Sequence, residues 1–213
     1  MKRTGLLLIF ILAISFAKAQ DSYENDEVRT LFSKNQSIGG YGAFTMSYSR
    51  IGGYDALVTG GRGAFIFDHV LAIGLGGYGF VNNLDYDHYN NNRNLSLAGG
   101  YGGLLIEPII AGKSPVHLSF PVLIGGGGVT LVDMYYGDYW GNPYPGYNYT
   151  YPFFVIEPAV ELEFNLARFF RLAAAVSYRY TSLIDTQIGE TSSFSVDALR
   201  GFNFGLTFKF GKF

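Results

Sequence analysis

One segment near the C-terminus constrains this chain more than any other. From Phe202 to Phe210, five apolar residues (Phe202, Phe204, Leu206, Phe208 and Phe210) alternate with Asn203, Gly205, Thr207 and Lys209. A period of two puts the apolar set on one face of a strand and the polar or minimal set on the other. A half-buried strand of a soluble sandwich has the same period. Here the apolar face is bulky and aromatic while the opposite face is polar or bare. A strand with lipid on one side and a polar interior on the other has that character.

The N-terminus sets the compartment. Met1-Lys2-Arg3 is basic, Gly5 to Phe16 is apolar, and Ala17-Lys18-Ala19 follows. These are the three parts of a secretory signal peptide, with cleavage expected after Ala19. The apolar run is short of the roughly 20 residues a membrane helix needs. Residues 1–19 are therefore read as signal peptide, 20–37 as a polar periplasmic lead-in, and 38–213 as one folded domain. The absence of cysteine excludes disulfides, thiolate metal sites and a lipid-modified cysteine. Losing Lys2, Arg3 and Lys18 takes the formal net charge from −2 to −5, which argues against a nucleic-acid partner.

Twenty-nine glycines and 17% aromatics, spread over short alternating segments, point to a closed all-β architecture. Eight strands are expected, near residues 40–49, 55–67, 70–81, 95–109, 116–132, 152–164, 170–181 and 194–210. Each is long enough for the 9–11 or so residues of a tilted spanning strand. Their connections are sorted by length. Asp68-His69, Ala111 to Pro115 and Asn165 to Phe169 are short; Asn82 to Asn94, Asp133 to Tyr151 and Ser182 to Ser193 are long. Only Arg50 to Tyr54 is short against the trend. Outer-membrane barrels have short periplasmic turns and longer outer loops. The fold class expected is an eight-stranded antiparallel up-and-down transmembrane β-barrel, with both termini periplasmic.

Charges within strands must avoid lipid, where an Arg or Lys at mid-bilayer costs about 2–4 kcal/mol. Arg62, Glu157, Glu161, Glu163, Arg171, Arg179 and Lys209 all sit opposite apolar faces and are expected inside as one charge network. The hairpin at Asn165 to Phe169 brings Glu163 towards Arg171. A transport path or a catalytic centre is the functional alternative. An eight-stranded barrel is only wide enough to be filled by its own side chains, which favours a structural role. Glu107 shares parity with Tyr101 and Leu105, so a β-bulge is expected near Glu107-Pro108.

Candidate chemistry is sparse. His69, His88 and His117 have no metal-ligand spacing. Asp85, Asp87 and His88 lie among asparagines, as a solvated loop does; His88 with Ser182 or Ser192 has no catalytic spacing. Gly74 to Gly79 precedes no helix, so its glycines belong to a strand and not to a nucleotide loop. No cofactor and no metal are expected. The third outer loop is different. Tyr135, Tyr136, Tyr139, Trp140, Tyr144, Tyr147 and Tyr149 crowd it together with Gly, Asn and Pro. Tyr-rich loops of this kind make rigid amphipathic contact surfaces. A surface site for glycan, protein or lipopolysaccharide is expected there; a self-packed plug over the barrel mouth is the alternative.

The C-terminal half resembles small outer-membrane β-barrel proteins of the Bacteroidetes type, OmpA/OmpX-like eight-stranded barrels. The residues carrying the likeness are Ile156 to Glu163, Phe170-Arg171-Leu172, Ser177 to Tyr180 and Gly201 to Phe213. The resemblance implies insertion by the outer-membrane assembly machinery, which reads a C-terminal aromatic strand; Phe208, Phe210 and Phe213 would supply that signal. Phe213 is out of phase with the even-numbered aromatics, so Gly211 to Phe213 is expected to be a tail. The resemblance brings no catalytic residues. The reading is a monomer in the outer membrane, in contact with its lipid, with a structural or surface-interaction role and an extracellular ligand not named by the sequence. An outer-leaflet lipid-modifying enzyme and a narrow pore are the alternatives.

Overall fold

A computed structural model describes residues 37–82, 95–133, 150–183 and 196–213. The strands are β1 (Ile38–Ile51), β2 (Tyr54–Phe67), β3 (Leu71–Asn82), β4 (Leu95–Ile110), β5 (Val116–Ser119), β6 (Val122–Asp133), β7 (Thr150–Ala167), β8 (Phe170–Leu183) and β9 (Gly201–Lys212). All pairings are antiparallel, and each strand pairs with its sequence neighbours. β5 and β6 lie in one line between β4 and β7 and count as one spanning strand. β1 pairs with β9 from Gly40↔Lys212 to Ser49↔Asn203, which closes a ring of eight.

Alternation sorts the side chains as the period-two pattern dictates. Phe65, Leu75, Phe202 and Phe204 are more than half exposed on the outside. Thr45, Arg62, Glu161, Asn203, Thr207 and Lys209 are buried inside. Monomeric soluble proteins do not expose an apolar belt of this extent, whereas a barrel surrounded by lipid must.

The two rims are built differently. At one, Gly52 and Gly53 (φ 64° and 88°) form a two-residue hairpin between Ile51 and Tyr54. Such a turn needs left-handed backbone at both positions, which glycine adopts without penalty. β3–β4, β6–β7 and β8–β9 are joined at this same rim through the long loops. At the other rim, Asp68 and His69 turn with φ of 52° and 61°, and Val70 N–H closes the turn on Phe67 O at 3.0 Å. The Asp68 carboxylate also accepts Ser37 N–H at 3.2 Å. These ends are the long-loop rim and the short-turn rim.

Three local expectations are corrected. There is no bulge at Glu107-Pro108: β4 keeps one register against β3 and β6 throughout. The irregularities lie elsewhere in the sheet. The ladder is interrupted at Phe120-Pro121 between β5 and β6, and across that break the register is kept, with Phe120 N–H donating to Pro108 O at 2.9 Å. β7 shifts register between Asn165 and Ala167. Glu107 simply points inward along with Tyr101 and Leu105, because a narrow barrel also fills its interior with apolar bulk. Secondly, the last strand does not begin at Phe194. A 3-10 helix, Val196–Leu199, precedes it, and β9 starts at Gly201. Thirdly, Gly211 to Phe213 is no loose tail. β9 runs to Lys212, and the odd-numbered parity carries the Phe213 ring inside, stacked on Tyr41 at 6.2 Å between centroids.

Candidate functional site

The interior is the largest concentration of charge in the described residues. Arg62 enters from β2, Glu107 from β4, Glu157, Glu161 and Glu163 from β7, Arg171 and Arg179 from β8, and Lys209 from β9. Four cations thus face four carboxylates. Odd-numbered β7 positions from Phe153 to Glu163 point inward, so Glu157, Glu161 and Glu163 descend one face as a ladder towards the short-turn rim.

Lys209 is the hub of the lower half. Its ammonium lies 2.5 Å from Glu107 Oε1, 2.5 Å from Glu163 Oε1 and 2.9 Å from Glu161 Oε2. Arg62 Nη2 grips both oxygens of Glu161, at 2.7 and 2.6 Å. Tyr41 OH donates to Glu107 Oε2. Ser119 Oγ donates to Glu163 Oε1 at 2.5 Å. His117 Nδ1 faces Ser114 O at 3.2 Å, while its Nε2 lies 3.0 Å from Glu163 Oε2 and 3.2 Å from Arg171 Nη1. Arg171 in turn approaches Glu163 at 3.4 Å and stacks over the Phe213 ring at 3.9 Å. The floor of the barrel is therefore built of ion pairs, with the Phe213 ring packed against Arg171 and Tyr41.

Glu107, Glu161 and Glu163 bring their oxygens within 4.8 Å of one another, a spacing compatible with a cation. The Lys209 ammonium already fills that role, so a divalent ion would have to displace an internal positive charge. The arrangement neutralises itself, three cations meeting three carboxylates.

The upper half uses neutral partners. Glu157 accepts from Tyr101 OH at 2.6 Å, Ser177 Oγ at 2.6 Å and Asn203 Nδ2 at 2.8 Å. Arg179 has no carboxylate partner among the described residues. Its Nε donates to Leu199 O at 2.7 Å, and its guanidinium carbon lies 5.6 Å from both the Phe80 and Tyr101 ring centroids. Above it, Leu199 of the 3-10 helix is fully buried, and Gly52 N–H binds Ala198 O at 2.8 Å. Asn82 ties this mouth together: its Nδ2 donates to Ile51 O at 3.0 Å, and its Oδ1 accepts Leu97 N–H at 2.7 Å. Between the halves lies a cavity of about 30 Å³ bordered by Arg62, Tyr78, Glu157, Ser177 and Asn203. That volume is on the scale of a few water molecules.

Sequence reasoning missed Glu107, His117, Tyr41 and Tyr101. His117 had been weighed only as a metal ligand; the signal for its inward direction is its shared parity with Ser119, Leu123 and Glu163's cross-strand partner position. Of the aromatic C-terminal set, Phe210 faces outward, Phe208 is half-buried and Phe213 is inside. Tyr135, Tyr136, Tyr139, Trp140, Tyr144, Tyr147 and Tyr149 lie outside the described residues, as do Asp85, Asp87, His88 and Ser192.

A solved outer-membrane structure shares this architecture. The chain aligns with Neisserial surface protein A, from Neisseria, at a TM-score of 0.54 and 9% identity, covering 84% of this chain and 100% of that one. Ail, the attachment invasion locus protein of Yersinia pestis, solved with the heparin analogue sucrose octasulfate, gives 0.47 and 11% over 84% and 98%. The N-terminal β-barrel domain of Pseudomonas aeruginosa OprF gives 0.44 and 11% over 80% and 96%. No protein-family model matches the sequence, and no curated relative does either. At these identities the likeness is one of fold, and in fold the chain is an eight-stranded antiparallel transmembrane β-barrel.

Proposed function

We propose that this chain is an exported outer-membrane protein whose barrel is a filled scaffold and whose work is done at the cell surface. The observation that carries the reading is the interior itself. Four cations and four carboxylates bridge the strands, rings and Leu199 occupy the mouth, and the internal cavity is only about 30 Å³. Among the described residues, such a lumen is filled by its own side chains, and its carboxylates are engaged by donors from neighbouring strands. The segments at the long-loop rim are then left to carry function, and residues 134–151 have the composition best suited to contact. On this reading residues 1–19 are the cleaved signal, the short-turn rim is periplasmic, and Phe208, Phe210 and Phe213 belong to the strand read by the assembly machinery. The barrel acts as a monomer without cofactor, and its partner is an extracellular ligand.

Deletion of Gly137 to Tyr149 tests the reading. Cells displaying the full chain should bind a glycan or host-surface array above the vector control, and the deletion should abolish that binding while the barrel stays folded. Binding that survives the deletion unchanged would refute the role of the loop.

A further inference from the structure

Four buried side-chain atoms among the described residues have no hydrogen-bond partner in the protein: Arg62 Nε, Arg171 Nε, Arg179 Nη1 and Asn203 Oδ1. A buried polar group without a partner is costly, so each one asks for a cause. Two of the four border one space. Arg62 and Asn203 both line the cavity of about 30 Å³ between the two halves of the lumen. They are 7% and 3% exposed, and they come from β2 and β9, on either side of β1.

The two atoms are complementary, but they do not bond to each other. Arg62 Nε is a donor and Asn203 Oδ1 an acceptor. The rest of each side chain is committed. Arg62 Nη2 holds both oxygens of Glu161, while Asn203 Nδ2 donates to Glu157 Oε1 at 2.8 Å and to Ser177 Oγ at 2.9 Å. With its nitrogen turned to the Glu157 carboxylate, the amide leaves its oxygen free. A ligand that serves both atoms must accept from one and donate to the other. An anion would suit Arg62 but would lie against Glu157 and Glu161, which line the same cavity. A cation would suit Asn203 but would lie against the Arg62 guanidinium. Water has both functions and is small enough, since a cavity of about 10–15 Å³ already holds one molecule. Ser47 and Tyr78 line the space as well and bring hydroxyl groups, within the roughly 2–4 partners a buried water takes.

We propose that this cavity is a binding site for one or two ordered waters, one of which accepts from Arg62 Nε and donates to Asn203 Oδ1. That water is a link as well as a filler. Asn203 belongs to the neutral set around Glu157, and Arg62 belongs through Glu161 to the ion pairs of Lys209. The bridge joins the two sets into one polar column and ties β2 to β9 across the lumen. The site is independent of the surface role proposed above.

A crystal structure of the folded full-length barrel, resolved well enough to show ordered solvent, tests the site without any substitution. A solvent peak should lie about 3 Å from both atoms. An empty cavity, or a peak that touches only one of the two atoms or neither, would overturn the proposal. Urea unfolding in detergent gives a second readout, with folding checked first by heat-modifiable gel mobility. Arg62→Lys keeps a cation for Glu161 but removes the Nε donor, and Asn203→Leu removes the acceptor. Each alone breaks the same bridge, so the double variant should shift the urea midpoint by less than the sum of the two single shifts. Arg62→Lys with Tyr101→Phe should be additive, because Tyr101 donates to Glu157 and takes no part in the bridge. Additive shifts for Arg62 and Asn203, or an equal shortfall with Tyr101→Phe, would overturn the proposal.

Discussion

The two halves of the lumen are filled by different physics. Near the short-turn rim, Lys209, Arg62 and Arg171 meet Glu107, Glu161 and Glu163 in direct ion pairs at 2.5 to 3.4 Å. Near the long-loop rim, Glu157 is held by neutral donors, and Arg179 by a backbone carbonyl and two rings. The ion pairs of the lower half come entirely from strand residues, so they are fixed by register. The upper half borrows Leu199 from a connection. The difference teaches that tightly connected strand ends can fill themselves with charge, while loosely connected ones must be closed by bulk. Buried ion pairs add little net stability over apolar packing, yet removing one partner is costly because the other charge stays buried.

The comparison yields graded expectations for urea unfolding in detergent, followed by gel mobility. Lys209→Met should cost most, about 3–5 kcal/mol, since three carboxylates lose their shared cation. Arg62→Met should be similar in kind, and Arg62→Met combined with Glu161→Met should recover much of the loss. A double variant no better than the single one would mean that the pair is a net stabiliser, not a matched penalty. In the upper half, Leu199→Ala should cost about 2–3 kcal/mol through the cavity it leaves. Tyr101→Phe should cost about 1–2 kcal/mol by taking a donor from half-buried Glu157. If Tyr101→Phe cost more than Lys209→Met, the division between the halves would be misplaced. Arg50→Gln, which breaks an exposed pair, should change stability by about 0.5 kcal/mol or less.

Much of this was legible in the chain. Strict alternation from Phe202 to Phe210 assigns Lys209 to the interior, and the same period along β7 aligns Glu157, Glu161 and Glu163. Sorting of connections by length gives the topology. The failures share a cause. Treating every apolar strand residue as lipid-facing turned Glu107 into a misfit, although Tyr101 and Leu105 beside it are 5% and 1% exposed inside the barrel. Apolar identity cannot separate a lipid-facing residue from one packing a narrow lumen; strand parity can. Phe213 shows the same thing, since its odd number already placed it with Lys209 and Thr207. The 3-10 helix was hidden because Val196 to Leu199 is too short to show a period. Which cation meets which carboxylate depends on shear between strands distant in sequence, such as the Arg62–Glu161 pair, and no local pattern encodes it.

The most direct test of the filled-lumen account is single-channel conductance of the heat-modifiable, purified barrel in planar lipid bilayers. A barrel whose two halves are both filled should insert without discrete ohmic steps. Stable steps at low voltage, weakened by substitutions at Arg179 or Leu199, would mean that the long-loop half is an opening and that the chain is a pore.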